Sequence, residues 1–157
     1  MLLQGLVHAA AALLILAGAQ KVHDPLPLVR AARSVGLRFH WQLVRAVAAA
    51  EVGVGLAALV DGARWTALLV AASYAVFTGF VVAARLRGGV LASCGCFGKA
   101  DVPATRTHAL VTGAVALGAL TGAPGALPLT AAAVVTTAAV AVTAYLVLAV
   151  LPLVQVR

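Results

Sequence analysis

Two cysteines stand one residue apart in Ser93-Cys94-Gly95-Cys96-Phe97-Gly98-Lys99, and the chain has no others. Thiol–disulfide exchange needs an accessible thiolate and a second thiol to resolve the mixed disulfide, and a Cys-x-Cys pair supplies both. Gly95 and Gly98 let the backbone bend sharply around Cys96. A disulfide prefers an S–S dihedral near about 90°, which so small a ring meets with almost no slack. The closed loop is also too short to gain much from chain-entropy restriction. A strained, weakly stabilised disulfide is oxidising and labile. Lys99, with Arg85 and Arg87 upstream, favours the thiolate. Cys94 as attacking thiol and Cys96 as resolving thiol is an interchangeable assignment. Two other uses stay open. The thiolates could hold a soft metal such as Cu(I), with His108 near in sequence, or lie buried as inert small hydrophobes. Two cysteines cannot build a closed all-cysteine zinc site, the sole methionine is Met1, and no metal site is assigned.

Glu51 is the second chemical signal. It falls near the middle of an apolar run from about Trp41 to Val60, where a charge costs about 2.5–3.5 kcal/mol on insertion scales. Such residues face the interior of a helical bundle and mark function by default. Candidate partners are Tyr74 and Ser73 on the next apolar run, His8 on the first, and Lys21, which can reach inward from the first run's end. Glu51 reads either as a neutral acid that ties helices by hydrogen bonding or as a proton acceptor coupled to thiol oxidation, because burial favours the protonated form of a carboxyl. His8, Tyr74 and His108 taken singly read as packing residues. Trp41 and Trp65 begin apolar runs and read as interfacial anchors. Gly53, Gly55, Gly113 and Gly118 read as points of close helix packing.

The elements that must position these residues are membrane helices. Of 157 residues, 64% are hydrophobic and 10% charged, against about 25% charged in a soluble domain. Mean hydropathy is +1.10, and lipid is the expected solvent. The length allows one bundle, a single domain over residues 1–157. A pI near 10.8 would suit nucleic acid, yet the cations fall between the apolar runs as membrane-loop charges do, so no nucleic-acid partner is expected.

Five apolar segments can be read, giving an all-α integral membrane bundle of four to five transmembrane helices with the Cys-Gly-Cys loop after the third. The first runs from about Leu2 to Gln20. Ala17-Gly18-Ala19 resembles a signal-peptide cleavage site, but no Lys or Arg precedes the run, which favours a retained span. Asp24-Pro25 and Pro27 punctuate its exit, and Leu26 to Leu37 reads as a short interfacial helix. The second span is about Trp41 to Val60, with Arg45 able to snorkel back to the interface. Asp61-Gly62-Ala63-Arg64 is a tight connection that makes the second and third spans antiparallel neighbours. The third is about Trp65 to Ala84. The fourth, about Thr107 to Thr121, is shorter than the ~20 residues of a full crossing. The fifth is about Leu127 to Val150.

With five spans, Lys21, Arg30, Arg33, Arg38, Arg85, Arg87, Lys99, Arg106 and Arg157 share one side and Arg64 the other. The positive-inside rule then places the N-terminus outside, and the C-terminus and cysteine loop on the cytoplasmic side. Stable disulfides favour oxidising compartments. Re-entry of the apolar stretch from Gly88 to Ser93 would shield the cysteines within the bundle.

Three pieces of the sequence resemble the MauE branch of the DoxX-like redox-associated membrane proteins. They are Ala17-Gly18-Ala19-Gln20-Lys21 with Asp24-Pro25, then Glu51, then Cys94-Gly95-Cys96-Phe97-Gly98. The resemblance spans about Leu13 to Ala116. It implies a small helical bundle of the bacterial cytoplasmic membrane that works beside a thioredoxin-like partner in maturing another protein. For Cys94 and Cys96 it implies transfer of reducing or oxidising equivalents. It is also similar to four-helix disulfide oxidoreductases that use quinone, but this chain lacks their Cys-x-x-Cys and a second pair. A two-disulfide relay is therefore excluded. The expectation is a membrane thiol–disulfide protein with Cys94, Cys96 and Glu51 at its site, Lys21 lining the polar interior, and the lipid bilayer and a redox protein as partners. The rivals are a quinone-linked thiol oxidoreductase with a pocket at Tyr74, Phe77 and Phe97, a non-redox assembly subunit, and a metal handler.

Overall fold

The structure, a computed structural model, describes residues 2–87 and 106–121. Among these residues the regular structure is helical, in the order α1 (Leu2–His23), α2 (Leu26–Ser34), α3 (Trp41–Val60), α4 (Arg64–Leu86) and α5 (Arg106–Thr121). Three stretches are long and apolar enough to cross a membrane: Gly5–His23, Trp41–Val60 and Arg64–Leu86. With 16 residues, α5 rises about 24 Å, short of the ~30 Å hydrocarbon core. The apolar segment from Leu127 to Val150 and the Cys-Gly-Cys loop lie outside the described residues.

The first helix runs further than its apolar pattern, through Lys21 to His23. The N–H of Asp24 still closes a helical bond to the Gln20 carbonyl at 2.8 Å. Asp24 Oδ1 then accepts from the N–H of Leu26 at 3.2 Å, and Pro27 lies in the first turn of α2. The second helix stops sooner than expected, before Gly36, whose φ is +82°. The N–H of Leu37 reaches the Ala32 carbonyl and that of Gly36 the Arg33 carbonyl, the paired bonds of a Schellman cap. A side chain at position 36 would disfavour that left-handed conformation.

Asp61 builds the α3–α4 connection. Its Oδ1 accepts from the N–H of Ala63 at 3.0 Å and the hydroxyl of Thr66 at 2.9 Å. Gly62 occupies a φ of +54° there. The second and third spans do meet across this turn, but the more extensive seams are α1 on α3 and α4 on α5. Of the two main seams, α4 on α5 joins successive helices and α1 on α3 does not.

The α1–α3 seam is made by small residues. A Cβ on Gly18 would fall 2.8 Å from the Ala48 carbonyl oxygen, and one on Gly55 would fall 2.8 Å from that of Ala11. Backbones this close leave no room for side chains between them, the usual basis of helix association in lipid. The order of the contacts makes α1 and α3 antiparallel. Gly55 was expected to pack in this way and does, whereas nothing lies within 4 Å of a Cβ on Gly53. Gly113 and Gly118 make only ordinary contacts, at 3.7 Å to Thr78 and 3.6 Å to Leu6.

Tyr74 of α4 donates to the Ala10 carbonyl of α1 at 3.0 Å, and the hydroxyls of Thr78 and Thr112 are 2.9 Å apart. Tyr74 joins Leu14, Ala58, Val70, Ala71, Ala116 and Ala119 in a core on which α1, α3, α4 and α5 converge. Thus α1 is an integral, central element of the bundle. A smaller cluster of Ala31, Val35 and Ala84, with Phe80 against it, packs α2 on the last turns of α4.

These directions gather charge at one end. Lys21 and His23 close α1, Arg30 and Arg33 lie in α2, Arg45 is early in α3, Arg85 is in the last turn of α4, and Arg106 opens α5. The opposite end has Asp61 and Arg64 at the α3–α4 turn. Leu43, Val47, Leu56, Val60, Leu68, Val76 and Leu117 are exposed, an outward apolar surface suited to lipid.

Candidate functional site

Lys21 and Glu51 form a buried ion pair at the cationic end. Nζ lies 2.6 Å from Glu51 Oε2, and the side chains are 3% and 10% exposed. The length is that of a charge-assisted bond. Each Cα–Cβ bond tilts toward its own helix's N-terminus. On antiparallel helices, Lys21 therefore leans into the bundle from its helix end, while Glu51 leans outward from the middle of α3. Gly18, three residues before Lys21 and on the same face, brings the backbones close enough for the pair to form.

Of the partners expected for Glu51, the structure selects Lys21. Ser73 donates instead to the Leu69 carbonyl at 2.9 Å, and Tyr74 is engaged with Ala10. Glu51 thus ties α3 to α1 through Lys21. Phe77 completes the surroundings, with its ring centroid 4.2 Å from Lys21 Nζ, a cation–π contact. Tyr74 stands edge-on to the Phe77 ring at 5.7 Å.

Arg45 caps the end of α1. Its Nε donates to the Val22 carbonyl at 2.7 Å, and its guanidinium stands 5.7 Å from the Trp41 ring. The side chain thus turns toward the first residue of α3 and the last turn of α1. Trp41 and Trp65 are exposed at the starts of α3 and α4.

An apolar cavity of about 220 Å³ opens beside the ion pair. It lies between α3 and α4 near the ends remote from their connecting turn, with α2 alongside. Lys21, Glu51, Phe39, Phe77, Phe80 and Val47 are among its walls. Of the aromatic residues expected to line a pocket, Phe77 does so. Tyr74 does not border this cavity: it is buried in the core behind it. Phe97 lies outside the described residues, as do Cys94 and Cys96. The residues that bracket the cysteine segment, Arg87 and Arg106, stand at the same end of the bundle as Lys21. Phe39, Phe80 and α2 were not expected at the site. Phe39 and Phe80 carry no polar signal, and only the fold brings them to one cavity.

A family model for methylamine utilisation protein MauE matches residues 1–124. The chain belongs to the MauE family. The matched region takes in Gly18, Lys21 and Glu51, and also the Cys94–Cys96 pair. No curated protein and no solved structure matches the chain.

Proposed function

We propose that this MauE-family protein is a membrane thiol–disulfide redox protein that exchanges equivalents with a partner through Cys94 and Cys96. In the oxidising direction, a partner dithiol loses two S–H bonds and gains an S–S bond, while the Cys94–Cys96 disulfide opens to two thiols. The reverse direction reduces a partner disulfide. The reading rests on one observation: the two cysteines of the chain fall in a Gly-flanked Cys-x-Cys within the family match. The buried Lys21–Glu51 pair supports it, as an expensive polar feature at the end of the bundle from which the cysteine segment departs.

The partner class is a thioredoxin-like or maturing protein. The name of the family ties it to methylamine utilisation; the proposal is limited to thiol chemistry, which is what the Cys94–Cys96 pair carries. The bundle comprises four to five spans in a bacterial cytoplasmic membrane, and the positive-inside rule puts the cationic end in the cytoplasm.

Trapping tests the proposal. Acid quenching and alkylation of cells should find Cys94 and Cys96 in both dithiol and disulfide forms, with a ratio that follows added reductant or oxidant. Replacing one cysteine by serine should accumulate a mixed disulfide with the partner. An unchanging redox state, together with full function of the C94S/C96S double variant, would establish an assembly role instead.

A further inference from the structure

The cavity beside Lys21 and Glu51 has features that thiol exchange alone does not use. Its volume of about 220 Å³ is below the ~300–1,000 Å³ of sites for drug-sized ligands, so it admits one ring system and not a whole lipid. Its rim residues Leu43, Val47 and Val76 are 52%, 51% and 69% exposed. They belong to the outward apolar surface, which places the mouth toward the hydrocarbon of the bilayer.

The interior combines flat aromatic walls with a paired charge. Phe39, Phe77 and Phe80 offer ring faces and edges, which suit a planar π-system. The Lys21 ammonium has three N–H donors, and Glu51 takes one hydrogen bond. Among the described residues Glu51 Oε1 has no hydrogen-bond partner, yet no enclosed side-chain oxygen is left unsatisfied. Oε1 therefore retains exposure, and Glu51 borders the cavity. A saturated acyl chain makes no use of such a pair. A ring carrying carbonyl oxygens does.

We infer that this cavity binds the head of a lipid-soluble quinone, with its ring among Phe39, Phe77 and Phe80, a carbonyl oxygen accepting from Lys21, and its tail leaving past Val47 and Val76 into lipid. This inference rests on the thiol–disulfide reading for its purpose. When two thiols become one disulfide, two electrons and two protons are released, and a quinone takes up both to become a quinol.

The test uses the full-length protein in nanodiscs and a short-chain photoreactive azido-ubiquinone. Peptide mapping should place the label on α3 between Leu43 and Glu51 or on α4 between Val76 and Phe80, and excess ubiquinone-1 or menadione should compete it away. Val47→Trp fills the mouth from an exposed position and should lower labelling about tenfold or more while the protein stays folded. Val76→Trp does the same from the facing helix. Label spread evenly over the outward surface, competition by phospholipid alone, or unchanged labelling in both folded variants would overturn the inference. The C94S/C96S variant should label like the parent. Quinone binding by a protein whose cysteines never exchange would sink the functional reading alone, and exchange without quinone labelling would sink this inference alone.

Discussion

Lys21 and Glu51 meet because they sit on antiparallel helices and each side chain leans toward its own helix's N-terminus. One residue near the end of α1 and another in the middle of α3 thus share a depth in the bundle, with Nζ and Oε2 2.6 Å apart. Neither helix could hold its charge alone without the energetic cost of an uncompensated ion in an apolar setting.

The pair should therefore behave as a unit. Glu51→Ala or Lys21→Ala alone leaves one buried charge and should destabilise the bundle by about 3–5 kcal/mol. The Lys21→Met/Glu51→Leu double variant should recover most of that loss. Thermal unfolding in detergent of the single and double variants checks it, and additive effects would show that the two charges are independent.

The two glycines of α3 should respond in opposite ways to alanine. At Gly55 a Cβ would fall 2.6 Å from Ile15 Cγ1 and 2.8 Å from the Ala11 backbone oxygen, so Gly55→Ala should destabilise by about 1–3 kcal/mol. At Gly53 a Cβ meets nothing within 4 Å. Gly53→Ala should then be neutral or stabilise by up to about 1 kcal/mol through helix propensity. Paired melting curves decide between this geometry and a seam that passes through Gly53.

Asp61→Ala should loosen the α3–α4 turn. It removes the acceptor for the Ala63 N–H and one of two acceptors for the Thr66 hydroxyl, the other being the Ala63 carbonyl at 2.7 Å, at a cost of about 1–2 kcal/mol. Hydrogen exchange should show faster opening at the first turn of α4, with little change at the Lys21–Glu51 end.

Probe cysteines in a cysteine-free background should report the two ends separately. Residue 38 lies at the cationic end and residue 64 at the other. An impermeant thiol reagent should reach only Arg64→Cys from outside and only Arg38→Cys from the cytoplasmic side. Labelling of both from one side would dismantle the antiparallel arrangement of α1, α3 and α4 in the membrane.

Much of this was legible in the sequence. Long apolar runs fixed the three spanning helices to within a few residues, because a helix in lipid must satisfy its own backbone and so declares itself by length. The cost of a charge in such a run singled out Glu51, and the reach of Lys21 was among the expected partners. Gly18 was read as part of a cleavage-like string and a family signature. Its role against Ala48 and Val52 was missed because a close approach depends on the partner helix. Gly53 and Gly55 are alike in sequence, and only the direction each faces separates them.

The sequence by itself determined the apolar character, the long helices among the described residues and the charge asymmetry. Each of these follows from composition, period and spacing along the chain. The tertiary structure alone decided that α1 pairs with α3 more closely than α3 does with α4. It also decided that Lys21 is the counter-charge of Glu51, and that Phe39, Phe77 and Phe80 gather beside them. The physical reason is that lipid supplies no hydrophobic drive to bring one apolar helix face against another. Which faces meet is settled by small residues that let backbones approach and by the need to pair a buried charge, and both are properties of two helices together.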